Sequence, residues 1–258
     1  MAFGDLLGTL GGNASSIGAT NDLTGSVAVD IGDLVYVLFG QQTNLTATGA
    51  TDDLGNTYTP TNAGTDPGTG TGRAFWSRVT VAGTLTTITV AATASSNDWA
   101  AGAAVIEGPF AESPLDANPA NLTDSSSPYT CPATGTLAQA DEVVMAGMTD
   151  AGLGVATIAA TSPNLLAIRR ANSTNIVAAI GHQTVSATTS VAPEFTGSSL
   201  IGAALFTSSF MKESAGGGDE TGLQTGETGE TGDGTIGDSI FKSRIFYSRI
   251  FNGHGVIR

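Results

Sequence analysis

An all-β fold, a β-sandwich or jelly-roll-like domain with an internal duplication, is what the sequence predicts, and three observations predict it. Charged residues make up 12% of the 258-residue chain and glycines number 35, so the Leu, Glu, Lys and Arg on which long helices draw are scarce. Ser and Thr fill most polar positions, and such short or β-branched side chains between Gly-rich turns suit half-buried strands. The apolar residues fall into short continuous runs or alternate with a period of two, each segment the length of a strand.

Residues 1–25 are Gly-, Ser- and Thr-rich around a small apolar cluster of Phe3, Leu6, Leu7 and Leu10, and are expected to form an arm or edge segment outside the domain. The domain itself is expected over 26–212. Its first strand is the continuous apolar run Asp33-Leu-Val-Tyr-Val-Leu-Phe39, which predicts burial on both faces. The turn Asp52-Asp-Leu-Gly-Asn-Thr-Tyr58 follows, and a loop is expected from Pro60 to Gly72. Strands are then predicted at Arg73-Ala-Phe-Trp-Ser-Arg-Val79, at the alternating Leu85-Thr-Thr-Ile-Thr-Val90, and at Trp99-Ala-Ala-Gly-Ala-Ala-Val-Ile106.

The second half repeats this plan, giving halves at 26–110 and 133–210. Asp141-Glu-Val-Val-Met-Ala-Gly147 stands where Asp33-Leu-Val-Tyr-Val stood, and Asn175-Ile-Val-Ala-Ala-Ile180 matches the strand of Phe75 and Trp76. Gly102-Ala-Ala-Val with Phe110 returns one hundred residues later as Gly202-Ala-Ala-Leu with Phe210. Repeats constrain architecture before any other signal. The halves could be two sheets of one sandwich or two sandwiches, and one compact domain is the expectation.

Beyond Phe210 the character changes. Residues 213–238 are Gly, Thr and acid with almost nothing to bury, so a flexible linker is expected. Residues 239–258 carry three copies of a five-residue unit, Ser239-Ile-Phe-Lys-Ser, Arg244-Ile-Phe-Tyr-Ser and Arg249-Ile-Phe-Asn-Gly, with no acid among them. Lys242, Arg244, Arg249 and Arg258 are four of the nine basic residues in the chain. Left exposed, the Ile-Phe pairs would promote aggregation. The segment is therefore expected to be covered, docked on its own domain, on a sister subunit or on another protein, with Ile240, Phe241, Ile245, Phe246, Ile250 and Phe251 joining those four cations as the anchoring side chains.

The formal net charge is −14, from 23 acidic and nine basic residues. Nucleic-acid affinity rests on clustered Lys and Arg, so no nucleic-acid partner is expected; the acidity favours solubility and repulsion between copies. No stretch approaches the roughly 18 consecutive apolar residues of a membrane span, and the opening Met-Ala-Phe-Gly-Asp lacks the basic and apolar regions of a signal peptide. No membrane partner is expected. Cys131, the single cysteine, excludes an intrachain disulfide and reads as a small buried hydrophobe.

No nucleophile elbow, His-Glu-x-x-His, phosphate loop or dinucleotide fingerprint occurs, so the chain is not expected to be an enzyme, and no catalytic residue, cofactor or metal is assigned. Carboxylates that could pair for glycoside hydrolysis are Asp52 or Asp53, Asp98, Glu107 and Glu194. Against that, Asp52 and Asp53 suit a turn in which Asp bonds its own backbone, and Glu107 ends a strand. The Asp52–Asn56 loop gathers hard oxygen ligands of the kind calcium takes, at a spacing unlike an EF-hand. His182 reads as the end of a strand and, like His254 in the tail, as solvent-facing or satisfied. Trp76 and Trp99 read as core, with sugar stacking as the second reading.

The succession Asp53-Leu-Gly-Asn-Thr-Tyr-Thr59, Phe75-Trp76, Leu85-Thr-Thr-Ile-Thr-Val90 and a closing strand with Glu107 resembles a β-sandwich module of tailed-bacteriophage virion proteins and of some bacterial surface proteins. The likeness covers residues 26–110 and, more loosely, the repeat to Phe210; the second half lacks the Leu-Gly-Asn-Thr-Tyr turn. A Gly-rich linker ending in a basic apolar peptide is similar to phage proteins that hook onto a capsid or tail by a terminal arm. The resemblance implies a virion structural protein on the particle surface, a capsid decoration, head spike or tail-fibre component. Its implied partners are capsid, portal, collar or tail proteins, with a homo-oligomer, a trimer favoured, and a host surface glycan as a further ligand. It brings no catalytic residues. The alternatives are a carbohydrate-binding adhesin module and, more remotely, a glycan-degrading enzyme.

Overall fold

Alternating and continuous apolar segments become strands throughout both halves of the chain. A computed structural model describes residues 1–14, 16–42, 47–65, 70–150, 157–162, 164–170, 176–198 and 202–214. The tail and all but the first two residues of the predicted linker therefore lie outside the described residues, among which there is no helix. The first half supplies β1 (Leu6–Ala14), β2 (Thr20–Val29), β3 (Leu34–Gln41), β4 (Gly49–Asp52), β5 (Thr59–Thr65), β6 (Thr71–Arg78), β7 (Gly83–Ala91) and β8 (Trp99–Ile106). The second supplies β9 (Phe110–Ala117), β10 (Leu122–Asp124), β11 (Tyr129–Thr130), β12 (Glu142–Asp150), β13 (Thr157–Ser162), β14 (Asn164–Arg170), β15 (Val177–Val185), β16 (Glu194–Ser198) and β17 (Ala203–Lys212).

All described pairings are antiparallel. The first eight strands form one sheet in the order β4-β7-β2-β1-β8-β3-β6-β5. The remainder form a sheet β10-β17-β12-β15-β14, with β9 also on β17, and a small sheet β11-β16-β13. Adding nine to each strand number turns the first order into the second: 4-7-2 becomes 13-16-11, and 1-8-3-6-5 becomes 10-17-12-15-14. Each half thus sets strands 1-8-3-6 and 2-7-4 as the two groups of a jelly roll, with its fifth strand turned onto its sixth. In the first half a Gly11–Thr24 pair joins the groups into a continuous sheet that curls around its own core. The duplication expected from sequence is present in the connectivity, and β9 is the extra strand between the copies.

The core has three layers because the central strands are covered on both faces. Val35, Val37 and Phe39 of β3 point into the first jelly roll with Phe75, Leu85, Ile88 and Trp99. The alternate residues Leu34, Tyr36 and Leu38 point the other way, onto Val143, Met145, Ile180, Phe206 and Phe210 of the second half. Beyond that seam, Ala146, Met148, Val177, Phe195 and Leu205 enclose the second jelly roll with Tyr129 and Cys131. β3, β8 and β12 are buried at every residue, as their continuous apolar runs demanded. The seam also brings backbones close: a side chain at Gly72 would strike Thr149 and the Phe206 ring, and one at Gly147 would meet Leu38.

The structure corrects four expectations. Residues 1–25 are not an arm outside a domain starting at 26, because β1 lies inside the sheet between β8 and β2 and Leu10 is fully buried. Its glycines serve close approach rather than flexibility, since a side chain at Gly12 would meet Asp22 and Trp99, and one at Gly8 would meet Val27. The segment from Pro60 is a strand, β5, not a loop; it is an edge strand, the place in a sheet where a residue without an N–H is tolerated. His182 lies within β15 rather than at its end. In the repeat, Ala104 and Ala204 both face the seam, but aligning Asp33 with Asp141 pairs seam-facing Tyr36 with Val144, which faces away. That opening match is therefore out of phase by one residue. The Leu-Gly-Asn-Thr-Tyr turn is missing from the second copy because β13 and β14 are separated by a single residue.

The seam's close approach predicts a contrast between two glycines. Gly72→Val should lower stability by about 1–3 kcal/mol through overpacking, whereas Gly49→Ala, with nothing within 4 Å of the new carbon, should stay within about 0.5 kcal/mol of the parent. Urea unfolding of both variants measures the difference.

Candidate functional site

Most of the residues that suggested chemistry are consumed by the fold. Asp52 closes the turn after β4: its Oδ1 accepts from the Leu54 and Asn56 amides at 3.1 and 2.9 Å, and its Oδ2 from Asn56 Nδ2 and the Tyr58 hydroxyl at 3.0 and 3.1 Å. Asn56 Oδ1 then accepts from the Thr80 and Val81 amides, tying this turn to the one after β6. Asp53 accepts from the Thr86 amide and hydroxyl. Burial resists its ionisation, but the Thr86 and Thr87 bonds outweigh that and hold its pKa below the usual carboxylate value. The loop is thus closed by its own donors, and among the described residues no three His, Cys, Asp or Glu side chains are grouped to hold a metal.

The other carboxylates sit apart on separate elements. Asp98 is buried before β8, with Oδ2 lacking a hydrogen-bond partner among the described residues. Glu107 is half-buried where β8 ends, and Glu194 on β16 accepts from Thr130. Neither tryptophan is an open platform. Trp99 is 5% exposed, stacks on Phe39 at 5.4 Å and donates its indole N–H to the Ser16 carbonyl. Trp76 packs edge-on against Phe210 at 5.5 Å. Cys131 is buried, and burial pushes its thiol up to about 12. His182 Nε2 lies 3.1 Å from the Gly4 carbonyl, and burial holds its pKa below the ordinary value. The anchoring residues Ile240, Phe241, Lys242, Arg244, Ile245, Phe246, Arg249, Ile250, Phe251 and Arg258, with His254, lie outside the described residues.

Sequence reasoning missed two acidic features. Glu142, at the first position of β12, is fully buried; its Oε1 accepts from the Gln139 amide at 3.1 Å, and Ser209 and Asp116 lie beside the carboxyl. Burial, reinforced by the charge of nearby Asp116, pushes its pKa up. The second is the joint between the halves. Asp33 spends both oxygens on amides, Oδ2 on Asp30 and Oδ1 on Gly108, each at 2.8 Å. Gly32, at φ 100°, presents its carbonyl to the Phe110 amide at 2.8 Å. Arg78 bonds the Phe110 carbonyl at 2.8 Å and lies 3.8 Å from Glu213, whose amide donates to Pro109. The end of β17 is therefore held at this joint. The one available signal was an acid preceding each apolar run, Asp33 before β3 and Asp141-Glu142 at β12.

Two clefts flank the joint. One of about 540 Å³ lies between Pro109, Gln139, Asp141 and Lys212, where Lys212 pairs with Asp141 at 3.8 Å. The other, of about 330 Å³, is lined by Met1, Leu7, Ala28, Asp30, Asp33 and Glu107. No family model, curated protein or solved structure matches the chain.

Glu142 gives a signed test. A carboxyl whose folded pKa is raised takes up protons on folding, so its contribution is full below the unfolded value near 4.3 and is lost as pH rises through the folded pKa. Glu142→Gln, which keeps the acceptor for Gln139, should raise the melting temperature at pH 7.5, and the gain should vanish near pH 4. Thermal melts at the two pH values read it directly.

Proposed function

We propose that the chain is a structural protein of a bacteriophage particle, displayed as a capsid decoration, head spike or fibre component and anchored to other virion proteins through its terminal segments. One observation carries this reading. Most of the described aromatic and acidic groups that suggested a ligand site are taken up in packing and turns, while the sequence after Lys212 switches to an acidic Gly/Thr stretch and then a basic Ile-Phe peptide. A tandem jelly roll of net negative charge is a display body that repels its neighbours. A short apolar cationic peptide is an attachment element, and symmetric repetition would multiply its strength. A homo-oligomer, a trimer favoured, on capsid, portal, collar or tail proteins fits both properties.

Immunogold labelling of purified particles with antibody against residues 1–214 tests the proposal. Labels at regular sites on heads or tails are expected. Particles that stay bare while bacterial envelopes are labelled would replace this reading with the surface-adhesin alternative.

A further inference from the structure

The joint between the halves is also where exposed apolar surface collects. Among the described residues, four large hydrophobic side chains are exposed, Met1, Ile31, Val81 and Leu122, and three of them belong to this end. Met1 lines the smaller cleft, and Ile31 stands between Asp30 and Gly32 in its turn. Val81 follows Val79, which exchanges backbone bonds with Gly32 and Asp33. The cleft itself has apolar walls from Met1, Leu7 and Ala28 and three carboxylates, Asp30, Asp33 and Glu107, with no lysine or arginine in its lining. Asp33 turns both oxygens onto amide donors, which leaves the carboxylates of exposed Asp30 and half-buried Glu107 to face a ligand, beside one cation in the lining, the α-ammonium of Met1. Such a surface selects a ligand that is both apolar and cationic.

One segment of the chain has that composition. Residues 239–258 contain no acid, four of the nine basic residues and three Ile-Phe pairs, two of them directly preceded by arginine. Residues 1–238 hold all 23 acids. The intervening Gly/Thr-rich stretch from residue 215 to 238 has an end-to-end distance of roughly 27 Å if it behaves as a flexible coil, enough to cross from one body to a touching neighbour. Starting from the reading of this segment as an anchor, we propose that the cleft of Met1, Leu7, Ala28, Asp30 and Glu107 receives residues 239–258 of a second copy of the chain. The contact is head-to-tail, since the two surfaces that meet are different ones. The homo-oligomer proposed above needs a seat for its anchor on a sister chain, and this cleft matches it in charge and polarity.

Light scattering on full-length chains tests it. The parent chain should form a defined multiple of its 25.7 kDa mass, with association weakening roughly tenfold or more between about 0.05 and 0.5 M salt. Asp30→Lys with Glu107→Lys should give a monomer with an intact tail, and Phe246→Ser with Phe251→Ser a monomer with an intact cleft. Mixed in equal amounts, these two should form a species of twice the chain mass, because one good tail then meets one good cleft. Ala28→Asp, at an exposed position of the lining, should give the same loss as the Lys pair without altering either carboxylate. A monomeric parent, an oligomer indifferent to the cleft variants, or a mixture that stays monomeric would each overturn the proposal. None of these results bears on whether particles are labelled, so the display reading stands or falls separately.

Discussion

The apolar seam between the two jelly rolls is the constraint on which the rest of the structure depends. A sheet in a simple sandwich has one wet face, and its strands alternate apolar with polar residues. Here β3 and β8 on one side and β12, β15 and β17 on the other have a core of their own behind them and a second core between them. Both faces must then be apolar, and the runs Leu34-Val-Tyr-Val-Leu-Phe39 and Glu142-Val-Val-Met-Ala-Gly147 follow. Equivalent strands of the two copies meet in the seam, so the copies pack in the manner of a symmetric dimer whose subunits are one chain. Charge is driven out of so much buried surface, which accounts for the scarcity of charged residues in the composition.

The same packing decides which chemistry is left over. Small residues at the seam, Gly40, Gly72 and Gly147, let backbones approach Thr149, Phe206 and Leu38, and the large aromatics fill what remains. Several polar groups are drawn into structural bonds: Asp52 into its turn, Asp33 into the joint, His182 onto Gly4. Among the described residues, two clefts beside the joint stay accessible. The display role proposed above draws on the terminal segments rather than on the bonded interior groups.

The sequence made the double-faced strands legible because burial on both faces leaves an uninterrupted apolar run that no loop would carry. The duplication was legible in Gly102-Ala-Ala and Gly202-Ala-Ala because both faces of the closing strand are constrained. β1 was illegible because its glycines, which meet Trp99 and Val27 by close approach, look identical in sequence to the glycines of a flexible arm. β5 was hidden by Pro60, which reads as a break unless the strand is known to be an edge. The out-of-phase match at Asp33 and Asp141 shows that two apolar runs can be aligned by composition and still place opposite faces together. The cleft was beyond reach, since Leu7, Ala28, Asp30 and Glu107 come from separate segments that only the sheet order brings to one end.

Scanning calorimetry of the full chain tests most directly whether the seam makes the two copies one cooperative body. The account predicts a single transition with equal calorimetric and van't Hoff enthalpies, and a Phe206→Ala variant in which that whole transition falls by roughly 6–15 °C. Two separate transitions, or a Phe206→Ala variant that moves only part of the heat absorption, would contradict it and make the halves independent domains.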